Sequence, residues 1–439
     1  MKREDGIRWL HGQLPGLVEA GVLSEDGAEN LRSHYGDAKG RSSVPLALLF
    51  LGVFGALLIG SGIVMLFAHN WEAMTRPVRV FVSFLPLALA QAISGWTLWK
   101  HRDSTTWLES AGSFHTLSVG ASIALVAQTY HMPGSFDSFL LTWMLLVLPM
   151  VYLLQAIVPL LVYFAGITAW AGYHQSSGDH LLLFWPLAAA VAPFVWSTIR
   201  AAPFAPRSVL VQWGGILALT CALGMVLEKG FPGLWIPVYA AFFATLYLAG
   251  GLVDGRERSF WQQPARGFGG VGAVVLVFVL SWSWPWEEIG WPHARLGTRY
   301  DPLASWWDGA ILLALLTTAV VLAVSTIRRR RAGDLVVGSL AFLMPAVYAI
   351  VAAGVDPELA ALLMNAYLLA LSVALVVRGV REVRLRTFNG GMVIFSALVV
   401  ARFFDSEISF IGKGLAFIAL GVAFLVCNII LARRKEKAS

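Results

Sequence analysis

Arg402 and Asp405 stand three residues apart in the stretch Ala401-Arg402-Phe403-Phe404-Asp405-Ser406-Glu407, which puts them on one helical face. A guanidinium can clamp a carboxylate or phosphate through two parallel hydrogen bonds. A carboxylate beside it can orient that fork or take a proton. Two further polar clusters interrupt apolar surroundings: His69-Asn70-Trp71-Glu72 and Gln128-Thr129-Tyr130-His131. His69 and His131 are the groups here that can titrate near neutral pH. The candidate substrate-binding set is therefore His69, Asn70, Gln128, Tyr130, His131, Arg402 and Asp405. A second set sits deeper in apolar sequence. Glu358, Asn365 and Ser372 recur at intervals of seven, on one helical face, and Asn428 stands in the last apolar run. Glu358, Asn365 and Asn428 form a candidate polar path through the membrane, with interhelical hydrogen bonding as the simpler use of the same groups. Simpler uses exist for the first set too. Arg402 can snorkel to the interface and pair with Asp405, and His69-Asn70-Trp71 can end a helix.

The elements that must position these residues are membrane helices. Hydrophobic residues make up 58% of the 439, and charged ones only 13% against about 25% in soluble domains. Apolar runs of roughly 20 residues recur along the chain, each long enough to cross about 30 Å of hydrocarbon. They lack the strict alternation of barrel strands. The fold class expected is all-α, a polytopic transmembrane helical bundle of about 14 helices with a small N-terminal cytosolic helical module at 1–40. The transmembrane domain, 41–439, holds segments at 46–68, 77–99, 111–130, 137–154, 156–173, 181–199, 208–228, 232–253, 267–284, 308–327, 334–353, 357–378, 389–404 and 412–432. Segments four and five run together at Gln155. Seven prolines inside these segments (Pro86, Pro149, Pro159, Pro186, Pro193, Pro237 and Pro345) are expected to kink helices. Gly52, Ala56 and Gly60, and likewise Ser118 and Ser122, allow close helix approach.

Charge orients the bundle. With both termini in the cytoplasm, 25 of the 32 Lys and Arg fall on the cytoplasmic side. That excess follows the positive-inside rule. Only Arg76, Arg79, Lys229, Arg295, Arg299, Arg402 and Lys413 fall outside. The rule thus gives no reason for Arg402 to stand where it does, which leaves pairing or ligand binding. The same count puts His69, Gln128 and Arg402 at one membrane face. Six Trp between Trp282 and Trp307 read as an interfacial aromatic belt.

Several classes of chemistry find no motif. There is no P-loop, no Gly-x-Ser-x-Gly, no His-Glu-x-x-His and no Cys-x-x-Cys. Cys221 and Cys427 lie in apolar runs, so no disulfide or metal site is expected. His174, Asp179 and His180 lack a metal-ligand spacing. No cofactor is expected, and the +6 charge reflects cytoplasmic loops rather than nucleic-acid binding.

Residues 8–40, with the Gly21-Val22-Leu23-Ser24 turn, then Ala68-His69-Asn70-Trp71 and Ala127-Gln128-Thr129-Tyr130-His131, resemble a bacterial multipass family, domain of unknown function 2157. Residues from about 355 to 436 resemble a second, domain of unknown function 4401, through Met364-Asn365-Ala366-Tyr367, Phe388-Asn389-Gly390-Gly391, Arg402-Phe403-Phe404-Asp405 and Lys413-Gly414-Leu415. These resemblances imply an inner-membrane location and association with a small envelope protein; they transfer no catalytic role. The function expected is transport or flipping of an anionic or amphiphilic envelope solute through a polar site near the outer face. The alternatives are an intramembrane enzyme acting on a lipid-linked substrate and a membrane sensor or scaffold.

Overall fold

The computed structural model describes residues 3–19, 21–35, 73–175, 183–227, 231, 233–253, 259–287, 289, 302–329, 332–382, 384–405, 418, 421–422 and 425. Segments 46–68 and most of 412–432 lie outside them, as do His69, Asn70, Asp179, His180 and Asn428, the glycines of the first segment and the Trp291 to Arg299 stretch. Among the described residues every regular element is helical. Backbone amides in hydrocarbon must be satisfied within their own segment, and a helix does this.

Two units are distinct, residues 1–79 and 80–439. In the first, α1 (Arg3–Glu19) and α2 (Glu25–Tyr35) form a hairpin. Gly21 adopts φ +70°, which lets Val22 and Leu23 donate back to the Leu17 carbonyl and close α1. Ser24 then caps α2 by accepting from the Gly27 amide at 3.1 Å. Leu14 and Ala28 are buried.

The second unit contains α3 (Arg76–Lys100, which begins in the first), α4 (Thr105–Tyr130), α5 (Phe136–Leu154), α6 (Ile157–Gln175), α7 (Phe184–Ala201), α8 (Pro206–Val226), α9 (Trp235–Val253), α10 (Pro264–Val279), α11 (Pro302–Arg328), α12 (Leu335–Ala352), α13 (Pro357–Arg381) and α14 (Leu385–Asp405). Nine helices among the described residues are long and apolar enough to cross a membrane: α3 to α6, α8, α9, α11, α12 and α13. Gln155 separates α5 from α6 by taking a left-handed conformation, φ 48°.

Two apolar cores organise the unit. One joins α5, α6, α7 and α8 around Met144, Leu160, Tyr163 and Phe184. The other surrounds α9, which is enclosed by α10, α11 and α12, and continues onto α13. Most of α11 is uncovered by the described chain although its mean hydropathy is 2.5. Such a helix is stable where lipid replaces the missing protein core.

Glycines set the closest approaches. The Gly269 position lies against the Phe243 carbonyl and the Tyr247 amide, so α9 and α10 touch backbone to backbone. Gly379 and Gly391 do the same for α13 and α14. Serines act similarly on α4: Ser118 and Ser122 are buried, and Ser122 Oγ donates to the Ser83 carbonyl of α3 at 2.7 Å.

The prolines correct one expectation. Pro86, Pro149, Pro193 and Pro345 lie inside helices. Pro159, Pro186 and Pro237 instead hold the third position of α6, α7 and α9. An amide there has no intrahelical acceptor, so these three begin helices and break no hydrogen bond. Among the tryptophans, Trp284, Trp306 and Trp307 are exposed in the manner of a belt, but Trp286 is wholly buried and donates its indole N–H to the Leu280 carbonyl at 2.8 Å. It belongs to the core.

Candidate functional site

The end of α10 builds the site around Arg402. The helix closes at Val279, and Ser281 folds its hydroxyl back onto the Phe278 carbonyl at 2.7 Å. The next helical turn is the short Trp284–Glu287 segment. Ser281 follows the C-cap Leu280, so its backbone carbonyl lies outside the helical hydrogen-bond ladder. Ser281 is fully buried, so water cannot be assumed to serve it.

Two side chains from other helices serve it instead. Arg402, near the end of α14, places Nη2 2.6 Å from the Ser281 carbonyl and 2.9 Å from its hydroxyl. Asn365, on α13, donates Nδ2 to the same carbonyl at 2.9 Å and to the Ala361 carbonyl at 2.8 Å. The Arg402 guanidinium also lies over the indole of Trp282, 5.0 Å from the ring centroid. A cation on an indole face is worth about 0.5–2 kcal/mol depending on desolvation. Asn365 Oδ1 is buried and accepts no hydrogen bond from the described residues.

Arg402 and Asn365 came from different candidate sets in the sequence, one at the outer face and one deeper. The fold brings them onto one carbonyl. Ser281 and Trp282 complete the arrangement and carried no sequence signal of their own. Serine in an apolar run is commonplace, and Trp282 fits the pattern of an interfacial belt. Asp405 is the last residue of α14; its side chain lies outside the described set.

The other candidates sit elsewhere. Gln128, Tyr130 and His131 end α4, a helix that packs on α5 and α6, whereas α14 packs on α13. His131 takes the left-handed conformation (φ 49°, ψ 41°) that closes α4, with its amide on the Gln128 carbonyl and that of Met132 on Ala127. This is a Schellman closure with His in the usual place of Gly. Gln128, Tyr130 and His131 are all exposed. Glu358 lies in the first turn of α13, exposed, beside the Asp356 cap, and its backbone amide donates to Asp356 Oδ1 at 2.9 Å. Ser372 is buried and bonds back to its own helix at the Leu369 carbonyl. Among the described residues no group of three or more His, Cys, Asp or Glu could hold a metal ion.

Three polar contacts escaped the sequence reading. His115 is buried in α4 and bonds through Nδ1 to Ser94 of α3 at 3.1 Å. Its signal was present, a lone histidine inside an apolar segment. His174 Nδ1 reaches Asp137 Oδ2 at 3.3 Å and its ring stacks on Trp170. At the opposite helix ends, Asp334 receives Arg266 at 2.8 Å and Arg378 at 3.6 Å.

No curated protein and no solved structure matches this chain. The resemblance of residues 355–436 rests on its motifs alone. Residues 15–160, which include Gln128 to His131 but neither Asn365 nor Arg402, match the model of the family described as predicted membrane protein (DUF2157), so the N-terminal part of this multipass helical membrane protein carries that family's sequence signature.

Proposed function

We propose that the protein moves or flips an anionic or amphiphilic envelope solute across the bacterial inner membrane, with both termini cytoplasmic and Arg402 as the recognition charge near the outer face. The observation that carries this reading is the meeting of Arg402 and Asn365 on the Ser281 carbonyl. An arginine in an apolar setting is expensive unless it has a use. Here the guanidinium is held in place by a helix end and an indole, which is how a binding charge is pre-organised. The neighbouring Asn365 Oδ1 adds a buried acceptor for a donor on the solute. Asp405 would orient Arg402. Gln128, Tyr130 and His131, with His69 and Asn70, would line the same outer face at the entrance. Glu358, Asn365 and Asn428 would continue the polar route through the bundle.

The test uses the purified full chain in phosphatidylcholine vesicles carrying a trace of fluorescent phosphatidylglycerol, with dithionite quenching only the outer leaflet. The wild type should expose the protected inner half of the label. Arg402→Ala and Asn365→Leu should each slow this at least about tenfold, the equivalent of roughly 1.4 kcal/mol in a rate constant. The helix content should be retained. Wild-type protein that leaves the inner half protected, or variants that flip at the wild-type rate, would end the proposal.

Sidedness is tested separately in cells. Gly297→Cys should react with an impermeant maleimide from outside, and Ala332→Cys only after permeabilisation. The opposite pattern would place Arg402 at the cytoplasmic face and remove it from any envelope-facing site.

A further inference from the structure

The tight reversal between α5 and α6 creates a second polar centre. Gln155 and Ala156 are all that separate the two helices, so the first amides of α6 need acceptors from outside their own helix. Glu109, from the second turn of α4, accepts from the Ile157 amide at 2.8 and 2.9 Å and from the Val158 amide at 3.0 Å. Arg207, at the second position of α8, donates Nη2 to the Gln155 carbonyl and stands 3.6 Å from Glu109 Oε1. The loops that meet here are three that the basic-residue count places together on the cytoplasmic side.

A cavity of about 450 Å³ opens beside this centre, between α5, α7 and α8. That is the size of a small-molecule site. Its wall is mixed. Phe194 and Pro193 are apolar, Ser197, Thr198 and Gln155 are polar, and Arg207 supplies the charge. The Glu109 charge is shared between Arg207 and the α6 amides, so it does not fully neutralise the guanidinium. Arg207 remains 39% exposed, and its Nε is buried with no hydrogen-bond partner among the described residues. Ser197 and Thr198 already donate their hydroxyl protons to the Phe194 carbonyl, at 2.9 and 2.8 Å. Toward the cavity they can only accept.

We infer that this cavity binds the headgroup of an anionic glycerophospholipid from the leaflet on its side of the membrane. The phosphate would take the open edge of Arg207, and hydroxyl groups on the headgroup would donate to Ser197 and Thr198. A polyol phosphate such as phosphatidylglycerol has this pattern. Phosphatidylcholine has the phosphate but no headgroup donor, and it carries no net charge. The apolar wall at Pro193 and Phe194 suits the glycerol backbone, with the acyl chains lying in hydrocarbon. The site lies on the opposite membrane side from Arg402 in the topology above, and the inference does not depend on the transport reading.

The experiment counts lipids retained by the purified full chain, by native mass spectrometry, after exchange into an equal mixture of phosphatidylglycerol and phosphatidylcholine. The wild type should retain phosphatidylglycerol in preference. Arg207→Ala should lower that preference about tenfold. Because Arg207 also holds the Gln155 carbonyl, Ala201→Trp is the second variant: it fills the cavity while leaving Arg207 in place, and it should expel the lipid equally. Phosphatidylglycerol held equally by wild type, Arg207→Ala and Ala201→Trp would overturn the inference. Displacement of the lipid by inorganic phosphate alone would also overturn it, by assigning the cavity to a free phosphate.

Discussion

Replacing Gly391 with alanine should destabilise the protein by about 1–3 kcal/mol, the range for an overpacked contact that forces backbone apart. A Cβ at this position would lie 2.8 Å from the Ser372 carbonyl oxygen and 2.8 Å from the Val376 amide. Neither atom is the end of a flexible side chain, so α14 itself must move from α13. Gly390 is the control one residue away. Its Cβ would meet nothing within 4 Å. Alanine there should be neutral or stabilise by up to about 1 kcal/mol, because alanine loses less backbone entropy than glycine in a helix. Thermal unfolding in detergent should therefore move in opposite directions, or at least differ clearly, for adjacent substitutions. Equal melting temperatures for Gly390→Ala and Gly391→Ala would refute the backbone contact. The effect extends to the site. Arg402 lies eleven residues beyond Gly391 on the same helix, roughly 16 Å along its axis at 1.5 Å per residue. Pushing α14 outward displaces the guanidinium from Ser281, so Gly391→Ala should also reduce the lipid-flipping rate proposed above while Gly390→Ala leaves it intact.

Asp334→Ala should cost about 2 kcal/mol. Asp334 lies in the turn just before α12, only 5% exposed, and two guanidiniums converge on its Oδ1. Removing one partner of a fully buried pair costs about 3–5 kcal/mol, chiefly from the charge left behind. The value expected here is smaller because Arg266 and Arg378 are 28% and 35% exposed and keep part of their hydration. The two arginines should not respond alike. Arg378 has a second partner, Glu382, at 2.9 Å, and sits in the last turn of α13, where the helix dipole favours a cation. Arg266 is the third residue of α10, where the dipole opposes it, and it rests over the Tyr247 ring at 5.2 Å. Asp334 is therefore what makes Arg266 tolerable at that position. A double-mutant cycle measures this directly. Arg266→Leu in the Asp334→Ala background should recover part of the lost stability, and Arg378→Leu should recover less. Recovery from Arg378→Leu as large as that from Arg266→Leu would contradict the assignment of Arg266 as the dependent charge.

Both predictions concern the places where helices are fastened, and these were the least legible from sequence. Gly379, Gly390 and Gly391 look alike in a string of letters, and only the path of the neighbouring helix makes two of them indispensable. Asp334 lies three residues beyond the tetrad Arg328 to Arg331, yet the arginines it contacts are 68 and 44 residues away in opposite directions along the chain. Sequence spacing cannot pair groups across such distances, because the pairing depends on which helices become neighbours. The candidate site shows the same division. Arg402 and Asn365 were both picked out, since a polar side chain in an apolar run has few cheap explanations. Their meeting on Ser281 was not foreseeable, as Ser281 is 121 residues from one and 84 from the other.

What the sequence alone determined is the class of object, a multipass helical membrane protein, and which residues are too polar for their surroundings. The reason is that hydrocarbon demands long apolar runs whose backbones satisfy themselves, and that demand is written locally. What only the tertiary structure decided is which proline starts a helix and which lies within one, which tryptophan is core, and which polar groups meet. Those outcomes depend on glycine-mediated contacts between helices and on helix-end carbonyls in need of a donor, and both are properties of the packed bundle.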